Sequence, residues 1–152
     1  MIKRFEQFSS AFSSIYRYIQ KIEREEMEKH GLKGAFAQYL MALHRHPDGM
    51  TASQLCEACD MNKAAVSRAI GEMEAAGLVC KKSESETSYR APLFLTERGR
   101  EIVQFVYDRG IIAVEKGGQG LSDDDRRAFY AALQLIAGNL QRLCQEGLPD
   151  DK

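Results

Sequence analysis

The chain has 152 residues, of which 44% are hydrophobic, and it carries 21 Lys and Arg against 22 Asp and Glu. This length suits one compact domain, or one domain with a dimerisation lobe, rather than two independent units. The formal net charge of −1 argues against a nonspecific nucleic-acid coat, so nucleic-acid affinity would require a local basic surface. No apolar run approaches the roughly 20 residues of a membrane span, and the first residues resemble an amphipathic helix rather than a signal peptide. We therefore expect a cytoplasmic protein without a membrane partner.

The N-terminal segment has apolar residues at alternating steps of three and four. These residues are Phe5, Phe8, Phe12, Ile15, Ile19 and Ile22. The spacing predicts a helix with one apolar seam, which implies a partner helix. The next helix, predicted from about residue 34 to residue 46, is interpreted as internal scaffold and ends in a turn at Pro47 and Gly49.

A short helix is predicted to begin at Thr51. The Thr51 side chain can cap the exposed N–H groups, and Gln54, three residues later, completes a capping box. Leu55 and Ala58 are expected to form the apolar face of this helix.

A second short helix follows after a tight turn. Asn62 can cap its start and Gly77 ends it, while Val66, Ile70 and Met73 recur at helical spacing and predict a buried stripe. The opposite face is small, polar and basic. It comprises Ala64, Arg68, Gly71 and Ala75, flanked by Lys63 and Ser67.

A small β-hairpin is predicted after Gly77, because residues 78–80 and 93–95 are apolar and the run between them is polar. Its basic residues Lys81, Lys82 and Arg90 could follow a phosphate backbone or enter a minor groove. Two glutamates near the tip would repel phosphates, so we expect contact mainly at the base of the hairpin.

Two capped helices followed by a hairpin are typical of a winged helix-turn-helix, which makes double-stranded DNA the first partner to consider. Arg68 can donate two parallel hydrogen bonds to a guanine edge, and its polar neighbours can hold phosphates. The alternative is a solvated outer face with one ordinary arginine. The candidate DNA-binding residues are Thr51, Ser53, Asn62, Lys63, Ala64, Ser67, Arg68, Lys81, Lys82 and Arg90.

The C-terminal part predicts a scaffold helix over residues 97–116, a glycine-rich joint, and a last helix capped by Ser122. The last helix repeats the apolar seam. The candidate dimerisation residues of the two seams are Phe5, Phe8, Phe12, Ile15 and Ile19 with Phe129, Leu133, Ile136, Leu140 and Leu143. The predicted fold is therefore mainly α with a small β-hairpin, in which a winged helix-turn-helix (47–96) joins a helical dimerisation lobe (1–46 and 97–148).

The motifs HPDGMTASQL, AVSRAIGEMEAAGLV and LTERGREI resemble, in order and spacing, those of the MarR-type transcriptional regulators. The resemblance covers nearly the whole chain. It implies a homodimer that binds a palindromic operator, usually as a repressor, and that is released by a small molecule or an oxidant. The Asp-x-Arg pair typical of the family's wing is missing, and Tyr89 with Arg90 stands nearest to it.

The resemblance also implies an effector pocket near the first, second and fifth helices. This chain offers Tyr16, Arg17, Tyr39, His44 and Tyr107 there. An aromatic wall with a cation could hold a small aromatic or anionic compound. The alternative is that these side chains only fill the lobe.

Other chemistries have weaker support. Cys56 and Cys59 form a CxxC, but no second close pair completes a zinc site, and neither residue lies at a helix start where a thiol is activated. We therefore expect no metal, no cofactor and no catalytic site, since no nucleophile–base pair or phosphate-binding loop is visible. A thiol-based oxidant sensor and a winged helix that binds only proteins stay open as alternatives.

Overall fold

The computed structural model describes residues 2–82 and 91–148, in which six helices and one two-stranded antiparallel sheet are present. The elements are α1 (Ile2–Lys29), α2 (Phe36–Arg45), α3 (Ala52–Cys59), α4 (Lys63–Ala75), β1 (Val79–Lys81), β2 (Leu93–Leu95), α5 (Glu97–Gly117) and α6 (Asp123–Glu146). The predicted mainly helical fold with a β-hairpin is thereby confirmed. None of the helices within these ranges is long and apolar enough to cross a membrane.

The chain divides into two compact units, Met1–Ala113 and Val114–Lys152. The first unit contains the hydrophobic core, to which α2 contributes seven of its ten residues. Leu55 of α3, Met73 of α4 and Leu78 after α4 complete its centre. Burial of this apolar surface is the main stabilising contribution to the winged part of the fold.

The two strands of the hairpin pair in the register Val79↔Leu95, Cys80↔Phe94 and Lys81↔Leu93. Met50, just before α3, forms an isolated bridge with Leu93, so that the hairpin base is attached to the helix pair. The predicted wing strands are confirmed, whereas the predicted wing tip and Arg90 lie outside the described residues.

The second unit contains the end of α5, a glycine-containing turn and α6. Ser122 caps α6 as predicted, with its hydroxyl accepting a hydrogen bond from the Asp125 amide at 3.1 Å. Arg126 closes the turn by donating to the Gly118 carbonyl at 3.2 Å. No residue of α6 is buried: of its predicted apolar seam, Phe129, Leu140 and Leu143 are exposed, and Leu133 and Ile136 are half-buried.

Two scaffold expectations need correction. Ala58 is exposed, because α3 turns its Leu55 face inwards and its flanking contacts come from the half-buried Cys56 and Cys59. Helix α5 is scaffold only along one face, since Val103 and Val106 are buried while residues 111 and 112 are exposed.

Candidate DNA-binding surface

Both helices of the helix-turn-helix begin at the predicted caps. The Thr51 hydroxyl accepts from the Gln54 amide at 3.3 Å, and the Gln54 side chain accepts from the Thr51 amide at 2.8 Å, which completes the capping box. The turn after α3 is made by Asp60 in the left-handed conformation (φ 50°). Asn62 then caps α4, with its Oδ1 accepting from the Ala65 amide at 2.8 Å. These local hydrogen bonds fix where the two helices start and stop.

Helix α4 has one buried and one exposed face. Val66, Ile70 and Met73 are buried as predicted, and Ala69 joins them. The opposite face is open to solvent. It carries the exposed residues Lys63, Ala64, Ser67, Arg68, Gly71 and Ala75, preceded by the exposed cap Asn62.

The opposite face is chemically suited to a polyanion. The Arg68 guanidinium forms no ion pair with any residue in 2–82 or 91–148, so its donors are available to a partner. Apart from the adjoining residues and the backbone of α4 itself, no atom of the described residues lies within 4 Å of the position that a Cβ would take at Gly71. Ser53 of α3 is exposed, and Thr51, the cap before α3, is half-buried. Small residues beside a free arginine allow close approach of a DNA edge.

Of the three basic residues predicted in the wing, Lys81 and Lys82 lie within the described residues. The Lys81 Nζ lies 3.4 Å from a carboxylate oxygen of Glu74, which ties the first wing strand to α4. The Lys82 Nζ lies 4.9 Å from the centre of the Phe94 ring, a cation–π contact. The Lys81 cation is therefore held at α4, and the Lys82 cation is held over a ring of the second wing strand.

Two sets of contacts to α4 have no counterpart in the sequence analysis. Lys33 Nζ, from the segment before α2, pairs with a Glu72 carboxylate oxygen at 2.7 Å. Thr96 and Arg98, before and at the start of α5, donate hydrogen bonds to the carbonyls that follow α4. One sequence feature could have predicted the role of Thr96: in the motif LTERGREI it stands three residues before Gly99, which is the spacing of a helix cap.

The five predicted effector residues are not brought together in one cavity. Tyr39 is 2% exposed in the core, and burial raises the pKa of its hydroxyl. Tyr16 and Arg17 lie exposed on α1. The rings of His44 and Tyr107 are neighbours, with centroids 5.6 Å apart.

His44 also lines a cavity of about 580 Å³ in the first unit. The cavity lies at the junction of the end of α2, the wing base and the start of α5. Its lining residues are Leu43, His44, His46, Pro47, Cys80, Lys82, Phe94, Leu95, Thr96 and Arg100. It combines an aromatic ring with the cations of Lys82 and Arg100, the combination expected of a site for a small aromatic or anionic compound.

The cysteines and histidines have ordinary local surroundings. Burial raises the pKa of the Cys59 thiol, which lies 3.7 Å from the Gln38 carbonyl oxygen. His30 packs edge-on against Phe105, and His46 shares a 2.9 Å hydrogen bond with the Ala42 carbonyl. In the described part of the chain, no three His, Cys, Asp or Glu side chains come together as metal ligands.

A capped helix pair with an exposed basic face and a hairpin defines a winged helix-turn-helix protein. Residues 30–90, which include this unit up to the wing, match the model of the MarR family. The resemblance seen in the motifs is thereby confirmed over these residues, and the members of that family are transcriptional regulators, not enzymes. No curated protein matches the sequence.

Solved structures with this fold have low sequence identity to the chain. A MarR transcriptional regulator from Methanosarcina mazei Go1 has 23% identity and a TM-score of 0.77, over 91% of this chain and 92% of that chain. A MarR family regulator from Silicibacter pomeroyi has 23% identity and a TM-score of 0.69, over 85% and 86%. A protein assigned to the same family from Listeria monocytogenes, solved with a 26-mer DNA, has 18% identity and a TM-score of 0.71, over 94% and 97%. These similarities establish the fold.

Proposed function

We propose that this protein is a cytoplasmic, sequence-specific repressor that binds a palindromic DNA operator as a homodimer and is released by a small effector. The exposed face of α4 with Arg68 carries the proposal, because it is small, basic and opposite a fully buried stripe. The Listeria relative solved with DNA supports the same use of the fold. In this arrangement α4 reads base edges in the major groove and the cations near its ends hold phosphates.

The decisive experiment selects bound fragments from the host genome and then measures affinity by fluorescence anisotropy. Arg68→Ala is expected to weaken binding by about 1–3 kcal/mol and to relax preference at one base pair. Arg68→Lys keeps the charge but loses the paired donors, so it should keep part of the affinity and little of the preference. Arg127→Ala, an exposed arginine of α6, is the matched control for loss of one charge.

Two results would contradict the DNA proposal. Unchanged affinity and preference in Arg68→Ala would show that α4 does not read DNA. Binding should also weaken steeply as salt concentration rises, because phosphate contacts release counterions. Absence of binding to every fragment, at low salt as well as high, would favour a winged helix that binds proteins.

The homodimer is supported by apolar side chains that the chain leaves uncovered. Phe5 is 72% exposed, and Phe8, Phe12 and Ile15 on the same face of α1 are exposed as well. Within α6, the predicted Phe129, Leu140 and Leu143 are also exposed. Exposed apolar rows of this kind are typical of a protein–protein interface. A second copy of the chain would cover them and place two α4 helices about one DNA turn, or ~34 Å, apart.

Sedimentation of two α1 variants tests the dimer. Phe12→Asp places a charge in the apolar row and should convert the protein to monomer at micromolar concentration. Ser10→Asp changes the opposite face of α1 and should leave the assembly unchanged. A wild-type protein that sediments as a monomer would refute the dimer.

The effector is proposed to occupy the cavity between the end of α2, the wing base and the start of α5. Of the five residues predicted from sequence, His44 lines it. Lys82 and Arg100 supply charge for an anion, and Phe94 supplies a ring face. A thermal-shift screen of phenolic acids should find a compound that also releases DNA, with a weaker effect in Lys82→Ala. A hit whose effect is unchanged in that variant would place the effector elsewhere.

A further inference from the structure

Thr96, which lies between β2 and α5, and Arg98 in the first turn of α5 donate hydrogen bonds to the three carbonyl groups that follow α4. The Thr96 hydroxyl donates to the Gly77 carbonyl at 2.6 Å, and the Thr96 amide donates to the Leu78 carbonyl at 3.0 Å. The Arg98 guanidinium donates to the Ala76 carbonyl at 2.9 Å. These carbonyls lie just beyond the last residue of α4 and have no helical partner, so the three donors satisfy groups that would otherwise need water.

The contact between the same two segments is closest at Gly99. A Cβ at this position would lie 2.0 Å from the Leu78 carbonyl oxygen, a distance that no side chain can tolerate. The Gly99 amide also donates to the Thr96 hydroxyl at 3.0 Å, which fixes the hydroxyl while it donates to Gly77. The absence of a side chain therefore lets α5 begin directly against the end of α4. We call Thr96, Arg98 and Gly99 the α4 anchor.

The α4 anchor differs in kind from the other attachments of α4. The buried stripe of α4 packs through apolar contacts, which have no strong directional preference. The Lys33–Glu72 pair is exposed at both ends and contributes little to rigidity. The anchor instead uses three hydrogen bonds to successive carbonyls, and these fix both the distance and the angle between α4 and the start of α5.

We propose that Thr96, Arg98 and Gly99 are positioning residues, which set the orientation of α4 and thereby the operator half-site spacing that the protein prefers. This inference rests on the proposed function. Thr96 and Arg100 also line the proposed effector cavity, so a bound compound contacts the segment that carries the anchor. A small displacement of this segment would be passed to α4 through the carbonyls of residues 76–78.

The test uses a series of operators in which the distance between half-sites is shortened or lengthened by one and two base pairs. Each base pair moves one half-site by roughly 3.4 Å and rotates it about the helix axis. Affinity is measured for the full-length wild type, for Thr96→Val, which is nearly isosteric but lacks the hydroxyl, and for Thr96→Ser, which keeps it. Thermal unfolding and circular dichroism confirm that each variant is folded.

Wild type should prefer one spacing. Thr96→Val should lose affinity for that spacing by about tenfold, similar to one mismatched base pair, and should show a flattened or shifted spacing profile. Thr96→Ser should restore the wild-type profile, and Arg98→Gln should shift it in the same direction as Thr96→Val. Gly99→Ala should show the largest change if it folds.

Two outcomes contradict the inference, and they are distinguishable from failure of the proposed function. A Thr96→Val protein with the wild-type spacing profile, whether or not its stability and overall affinity fall, would show a merely structural role for the anchor. A Thr96→Ser protein that behaves like Thr96→Val would show that the hydroxyl bond is not responsible. Wild-type protein that binds no member of the series would overturn the proposed function, and this inference with it.

Discussion

Replacing Asn62 by Ala or by Asp separates two roles that this side chain is assigned on α4. Its Oδ1 accepts a hydrogen bond from the Ala65 amide at 2.8 Å, so it caps the helix. It is also exposed at the start of the proposed recognition helix, where it would contact a phosphate. Asn62→Ala removes both functions, whereas Asn62→Asp keeps a cap acceptor and adds a negative charge.

The two variants should rank in opposite order for stability and for operator binding. Asn62→Ala should lower the free energy of unfolding by about 0.5–1 kcal/mol, because the Ala65 amide is exposed and water can replace the lost acceptor. For a chain of this length, that corresponds to a fall in Tm of about 2–4 °C per kcal/mol. Asn62→Asp should be as stable as wild type or more stable by up to about 1 kcal/mol, because a carboxylate favours a helix N-terminus.

Operator binding should fall in both variants, and further in Asn62→Asp. Asn62→Ala loses one hydrogen bond to phosphate, about 0.5–1.5 kcal/mol. Two negative charges about 4 Å apart near a protein surface repel by roughly 1–4 kcal/mol. Tm is measured at one fixed protein concentration, since a dimer's Tm depends on it, and affinity is measured by anisotropy at one salt concentration. An Asn62→Asp protein that binds like wild type would remove Asn62 from the DNA-binding surface.

Three further predictions concern folding and thiol chemistry. The hydrogen bond from Lys29, at 2.6 Å, outweighs burial and lowers the pKa of Glu26 below its ordinary value of 4.5. The ionised Glu26 therefore stabilises the fold above pH 4.5, and this stabilisation is lost as the pH falls through the lowered pKa. Urea unfolding should therefore show a smaller loss of stability on acidification in Glu26→Gln than in wild type, and equal losses would contradict this. Alkylation at neutral pH, followed by peptide mass spectrometry, should label the exposed Cys144 before Cys59, whose thiol pKa is raised by burial; the reverse order would show that Cys59 is activated. Leu55→Ala should lower the free energy of unfolding by about 2–5 kcal/mol, because the side chain is fully buried, and a loss below 1 kcal/mol would mean that the core collapses around the cavity.

The helix-turn-helix could be predicted because its signals act over one or two helical turns. The capping box at Thr51, the cap at Asn62 and the apolar spacing of α4 each depend on neighbours within four residues, and each is found in the structure. The end of α4 before Gly77 is equally local, since this glycine adopts a φ of 68°. Local chemistry therefore determines which face of α4 is exposed.

The remaining contacts depend on residues that are distant in sequence. The hydroxyl of Thr96 and its acceptor on Gly77 are 19 residues apart, and Lys33 and Glu72 are 39 residues apart. Helical periodicity relates residues three or four apart, so it does not predict either contact. The sequence analysis predicts Tyr39 near an effector, but α2 is buried on nearly all sides, and periodicity does not tell which face of such a helix meets the core. The dimer seams and the DNA contacts involve a second molecule, and they stay predictions.

Gly71 makes α4 less stable than a helix with alanine at the same position would be. A methyl group added there would meet no side chain or distant backbone atom of residues 2–82 and 91–148 within 4 Å, yet glycine in a helix interior costs about 1 kcal/mol relative to alanine. No described residue therefore opposes alanine at this position, and Gly71→Ala should give a more stable protein for biophysical work. If the alanine variant is more stable than wild type but has a lower affinity for DNA, the open space beside Gly71 is where the edge of a base pair fits.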